Sequence, residues 1–149
     1  MRIATYRTKN RIEIGVLSED SSAITPFDIP EQQAVGGMLA LLEDDLAVRP
    51  LRDVQHPLDS NDVELLAPIP LPKRNILCVG KNYFAHAQEI SKFDLDAPAG
   101  HSNLPESPII FSKLPQCVIA NGEKIGHDER VTVELDYEAE LAVIIGRAG

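Results

Sequence analysis

The sequence predicts a mainly β chain of the α+β class. Three observations carry that expectation: two short alternating runs at the N-terminus, further strand-like runs after residue 74, and a period-2 pattern over Val131–Ile145. Only residues 31–45 carry a sustained helical period. The 149 residues are enough for a small domain and part of a larger one, and 44% hydrophobic content suffices for a core.

Arg2–Tyr6 and Ile12–Leu17 read as strands joined by a polar turn. Ser18–Pro30 reads as a loop. From Glu31 to about Asp45, Val35, Met38, Leu39, Leu42 and Leu46 follow i, i+3, i+4 spacing, although Gly36 and Gly37 each weaken a helix by up to about 1 kcal/mol. A polar connection spans Arg49–Asp62. Leu65–Pro72 holds three prolines within five residues, which suits an extended linker rather than a helix or a central strand. This sets the expected division: residues 1–70 form a small N-terminal subdomain, and residues 71–149 begin a second domain.

Asn75–Gly80 reads as a buried strand, Asn82–Ile90 as a short helix, and residues 91–107, rich in Ser, Asp, Pro and Gly, as a mobile loop. Strands are expected again at Ile109–Ser112 and Cys117–Ala120. Over Val131–Ile145, alternation puts Val133, Leu135, Tyr137, Ala139, Leu141, Val143 and Ile145 on a core face. Glu134, Asp136, Glu138 and Glu140 fall on the other.

The net charge of −9 argues against nucleic acid, which requires clustered Lys and Arg. No secretory signal and no run near 20 apolar residues is evident, so the expected location is cytoplasmic, without a membrane partner. Cys78 and Cys117 lack CxxC spacing, and Cys78 is expected to be a reduced core thiol.

Two constellations carry chemistry. Four carboxylates along one strand face repel each other. Either the face is solvated or it binds a cation, and oxygen donors suit Mg2+, Mn2+ or Ca2+ rather than soft metals. Glu138 and Glu140 adjoin the most apolar stretch, Leu141–Ile145, and are the pair expected to be partly buried. His86 and Glu89 are three residues apart, hence on one face of a helical turn. The carboxylate would orient the imidazole and raise its basicity for proton transfer, or the two form an ordinary surface pair. His56, His101 and His127 sit in polar loops.

The motifs Ile76-Leu-Cys-Val-Gly-Lys-Asn-Tyr-Phe-Ala-His-Ala87, Pro108-Ile-Ile-Phe-Ser-Lys113 and Leu135-Asp-Tyr-Glu-Ala-Glu-Leu-Ala-Val-Ile-Ile-Gly-Arg147 occur in that order. Together they resemble the fumarylacetoacetate hydrolase family in its short bacterial form, strongly over 73–149 and loosely over 1–72. The resemblance implies a mixed β-roll with short helices, of which residues 71–149 supply the first part. It implies Glu138 and Glu140 as metal ligands, and His86 paired with Glu89 as the catalytic group. Lys113 faces the substrate pocket or makes a structural ion pair. Asn82 and Tyr83 lie beside the pocket or shape the turn. Phe84 departs from the polar residue common at its position, which bears on specificity.

The implied activity is metal-dependent hydrolysis of C–C bonds in 2-oxo or 1,3-dicarbonyl acids. The alternatives are isomerisation or decarboxylation of 2-oxo acids, as in aromatic catabolism, or a non-catalytic binding or assembly module. The implied partner is a small 2-oxo acid, with a homodimer at full length. The family's third metal-binding Asp and its substrate-binding Arg and Lys fall on strands later than the last motif. Weak Mg2+ binding and little turnover are therefore expected of these residues alone.

Overall fold

A computed structural model describes residues 1–9, 11–43, 50–87 and 105–146. The chain is mainly β with a few short helices. It divides into two compact units, Met1–Leu71 with Val118–Gly149, and Pro72–Cys117. Among the described residues no helix is long and apolar enough to cross a membrane.

The first unit is built on five antiparallel strands: β1 (Arg2–Arg7), β2 (Ile12–Leu17), β3 (Ala23–Pro26), β4 (Leu58–Asp59) and β5 (Glu64–Leu65), in the order β4-β3-β2-β1-β5. Register follows the apolar pattern. Ile3 faces Val16 and Thr5 faces Ile14 across the β1–β2 ladder. That face forms a core of Ile14, Phe27, Ile29, Ala34 and Leu41, with Ile3, Val16 and Ala40 packed against it. The opposite face carries Tyr6, fully buried, opposite Glu13. At Gly15 a Cβ would lie 2.5 Å from Ile24 Cγ2, so the missing side chain lets Ile24 lie over the strand.

The expected loop at Ser18–Pro30 contains β3. Four residues ending in proline give too short a pattern to read, yet burial of Ile24 and pairing with β2 hold them in the sheet. The turn before it is tied by Asp20, whose carboxylate accepts from the Ser18 and Ser22 hydroxyls and the Ser22 amide. These bonds hold the exposed carboxyl down at about 2. The polar connection at 49–62 likewise contains β4 and a 3-10 turn, Ser60–Asp62, capped by Asp59. β5, at the head of the proline-rich stretch, is an edge strand, and the prolines at 68, 70 and 72 follow it rather than interrupt the ladder.

The helical period of 31–45 resolves into α1 (Glu31–Ala34) and α2 (Leu39–Leu42). Gly37, at φ +62°, breaks the run between them. A Cβ there would lie 2.4 Å from the Pro68 carbonyl oxygen. That oxygen accepts from the Met38 amide and the Thr5 hydroxyl, each at 2.8 Å. The two glycines thus let the chain turn against the proline-rich segment.

Residues 131–146 are not a strand, which corrects the sequence expectation. A strand is defined by a ladder, and among the described residues this segment makes none. Side chains take part of its backbone capacity: Thr132 Oγ1 accepts from the Glu134 amide, and Asp136 Oδ1 from the Tyr137 amide. Its expected core face is exposed, with Leu135 at 58%, Leu141 at 82% and Val143 at 73%.

The second unit holds β6 (Ile76–Gly80) and β7 (Ile109–Lys113), an antiparallel pair running from Ile76 opposite Lys113 to Gly80 opposite Ile109. β6 is not the buried strand expected: Leu77 is 72% exposed and Cys78 half-buried, because a two-stranded sheet covers little of either face. Cys117 lies not in a strand but in a 3-10 turn, Pro115–Cys117, closed by its amide donating to the Leu114 carbonyl. Both cysteines are free.

Candidate functional site

The imidazole of His86 is carried by a turn that follows β6. β6 ends at Gly80, still in register with Ile109. Lys81 then adopts a left-handed backbone at φ +53°. Residues 84–87 are helical, and the Ala87 amide donates to the Tyr83 carbonyl at 3.0 Å. Ala87 is buried at 2% exposure and anchors this turn, so its neighbour His86 sits on a fixed backbone, half-buried. Asn82 and Tyr83 lie between strand and helix, both exposed. His86 and Tyr83 each have an interaction partner. Glu89, expected to orient the imidazole, lies outside the described residues, as do His101 and most of the expected loop at 91–107.

Lys113 closes β7 opposite Ile76. It is therefore at the far end of the hairpin from the Gly80–Lys81 turn, four residues of strand or roughly 14 Å away along the backbone. Its side chain is exposed.

Glu138 and Glu140 lie in the extended segment of the first unit, and both are exposed. That exposure says little about the acidic face in particular, because the apolar residues between and beyond them are as open: Tyr137 at 87% and Leu141 at 82%. Glu138 has an interaction partner. As a donor set for a hard divalent cation the pair fits in kind, since both are carboxylates. It does not fit in number. Among the described residues no group of three or more His, Cys, Asp or Glu converges on one point.

Sequence reasoning passed over two features. One is Lys81, whose left-handed backbone no composition rule announces. The other is a buried polar cluster in the first unit: Glu13 accepts from Arg52 at 2.9 Å, and the Tyr6 hydroxyl lies 3.5 Å from the same carboxylate. Burial, reinforced by the Glu13 charge, pushes the Tyr6 phenol well above its usual range. The pairing of Tyr6 with Glu13 follows from the β1–β2 register, so the alternation of those strands was the signal that could have found it.

The family model described as "Fumarylacetoacetate (FAA) hydrolase C-terminal" matches residues 75–149. Among curated proteins, the chain is 33% identical to oxaloacetate tautomerase YisK of Bacillus subtilis, over 100% of this chain and 53% of that protein. It is 37% identical to mitochondrial oxaloacetate tautomerase fahd2 of Xenopus laevis, over 64% of this chain and 26% of that protein. An uncharacterized protein of Staphylococcus aureus is 30% identical over 60% of this chain and 26% of its own length. The chain thus spans about half the length of the first of these relatives and about a quarter of the other two.

Proposed function

Because the chain belongs to the fumarylacetoacetate hydrolase family, a family of enzymes, we propose that it supplies the proton-transfer group of a site that isomerises a 2-oxo acid between its keto and enol forms. Residues 1–70 would serve as the small N-terminal subdomain and residues 71–149 as the first part of the catalytic domain. The observation that carries the reading is the His86 turn, fixed between the β6 ladder and buried Ala87, in a chain whose similar proteins include two oxaloacetate tautomerases.

Keto–enol interconversion needs little more than a poised acid–base group. One proton leaves C3 of the acid and one is delivered to the oxygen on C2, or the reverse. No water is added and no C–C bond breaks. An imidazole suits this because its two ring nitrogens take and give protons near neutral pH. Glu89 is proposed to fix which ring nitrogen carries the proton. Asn82 and Tyr83, exposed at the mouth of the same turn, are proposed to line the substrate pocket, and Lys113 to meet the substrate or a structural counter-charge. Glu138 and Glu140 are proposed as two of the ligands of Mg2+ or a similar ion, which when bound would polarise the 2-oxo carbonyl. A homodimer of the whole protein belongs to the same proposal.

A second reading, hydrolysis of a C–C bond in an acylpyruvate, keeps His86 as the base but points it at a water; the hydrolase in the family's description favours it. The two separate in one experiment. This chain would replace its matching segment in the Bacillus subtilis relative, and the chimera would be assayed for decay of enol-oxaloacetate and for acylpyruvate cleavage. Acceleration of the first alone is the expected result. Cleavage of the acylpyruvate at a comparable rate would establish the second reading, and a folded chimera active on neither would overturn both.

A further inference from the structure

We propose that Lys81 is a positioning residue, whose left-handed backbone turns the chain out of β6 and sets the direction of the helical turn that carries His86. The proposal rests on the reading of His86 as the proton-transfer group, and deepens it.

The left-handed region is unfavourable for any residue with a Cβ and is ordinarily left to glycine, or to Asn and Asp. Four described residues occupy it. Gly37 and Gly122 are glycines, and Ser21 lies in a tight exposed turn held by its neighbours' hydrogen bonds. Lys81 is the one long side chain among them, at φ +53° and half-buried. Such a conformation persists where the surrounding structure dictates it, and the two fixed points around Lys81 do so. On one side Gly80 is held in the ladder opposite Ile109. On the other, Ala87 is buried and hydrogen-bonded back to Tyr83. Between them the chain must leave an extended strand and enter a helical turn within three residues. A single left-handed residue makes that change of direction. Returning Lys81 to an ordinary backbone would swing the exit from β6 and carry His86 with it, while the ladder stayed in place.

The test reads the position of His86 directly, in the full 149-residue chain without substrate. Imidazole signals are recorded by NMR, and His86 is assigned by its loss in His86→Asn. Lys81→Gly and Lys81→Asn, which both tolerate a left-handed backbone, should leave the His86 signal where it is in the parent. Lys81→Val, whose branched side chain disfavours that region, should displace the signal while the amide signals of β1 and β2 stay put. If the valine variant loses the β6–β7 signals altogether, Lys81→Thr against Lys81→Asn decides on the same imidazole. An unmoved His86 signal in the branched variant that folds would overturn the proposal. So would a displaced one in Lys81→Gly, because the side chain rather than the backbone would then be responsible. None of these signals depends on turnover, so a catalytic role for His86 stands or falls separately, on the activity of His86→Asn in the chimera.

Discussion

Two adjacent glycines should respond oppositely to the same substitution. Gly37→Ala places a methyl group 2.4 Å from the Pro68 oxygen, 2.6 Å from Pro70 Cδ and 3.0 Å from Thr5 Oγ1, at φ +62°. The left-handed backbone alone costs about 1–2 kcal/mol once a Cβ is present. Relieving the contact requires moving a backbone carbonyl, not the tip of a flexible side chain, and overpacking of this kind costs about 1–3 kcal/mol. That carbonyl accepts from Met38 and Thr5, and disturbing either bond adds about 1 kcal/mol. A loss of roughly 3–6 kcal/mol is therefore expected, a large part of the 5–15 kcal/mol that holds a typical domain together. Gly36→Ala meets only ordinary contacts, at 3.7 Å and beyond. It should be neutral or stabilise by up to about 1 kcal/mol through reduced freedom of the unfolded chain. Urea unfolding followed by far-UV circular dichroism measures both, with the midpoint of Gly37→Ala expected to fall by more than ~1 M at an ordinary m-value. Equal midpoints for the two variants would refute the packing argument.

Three further outcomes follow from the same structure. Arg52→Ala leaves the Glu13 carboxylate, 10% exposed, without its cation, and should cost about 1–3 kcal/mol in the same urea assay, less than a fully buried pair because Arg52 itself is 33% exposed. Glu13→Gln together with Arg52→Ala should recover part of that loss, and no recovery would contradict the charge argument. Tyr6 keeps its proton more firmly folded than unfolded, so the stability it contributes is complete below the unfolded value near 10 and is lost as pH rises above it. The slope should approach 1.4 kcal/mol per pH unit and be largely absent in Tyr6→Phe, which an alkaline unfolding series checks. The exposed apolar residues of the extended segment should make the chain bind a hydrophobic dye and self-associate with concentration, and Leu141→Asp with Val143→Asp should suppress both. Light scattering that shows a dilution-independent monomer in the parent would count against it.

What could be read from the residues depended on how local the cause was. β1 and β2 were legible because Ile3, Ile12, Ile14 and Val16 alternate over six residues each and their ladder is a simple hairpin. β3 and β4 were not, since four and two residues carry no period, and their pairing is a property of the sheet. The glycine pair at 36–37 was seen as a weakness in a helix. That it becomes a break depends on Pro68, 31 residues beyond Gly37, which no local pattern reveals. The alternation over 131–145 was read as a strand with a core face. Periodicity states which side chains share a face, whereas a ladder requires a paired strand, and among the described residues this segment pairs with none. For the candidate site, the family was legible in the three motifs, and the match over 75–149 bears that out. The short helix expected over Asn82–Ile90 is described over residues 84–87, which include His86. The backbone of Lys81 was not legible, because a left-handed lysine contradicts every local preference and is imposed by the strand and the buried alanine on either side of it.

The central claim is that the imidazole of His86 moves the proton. Its most direct measurement is the rate of enol-oxaloacetate isomerisation by the chimera carrying His86→Asn, against the chimera with His86 intact. Loss of a positioned general acid–base group lowers such rates by roughly 10²–10⁴-fold, and a fall of that size in kcat is the expected result. A folded His86→Asn chimera that retains kcat within about threefold of its parent would contradict the account, since a general acid–base group contributes at least ~10²-fold.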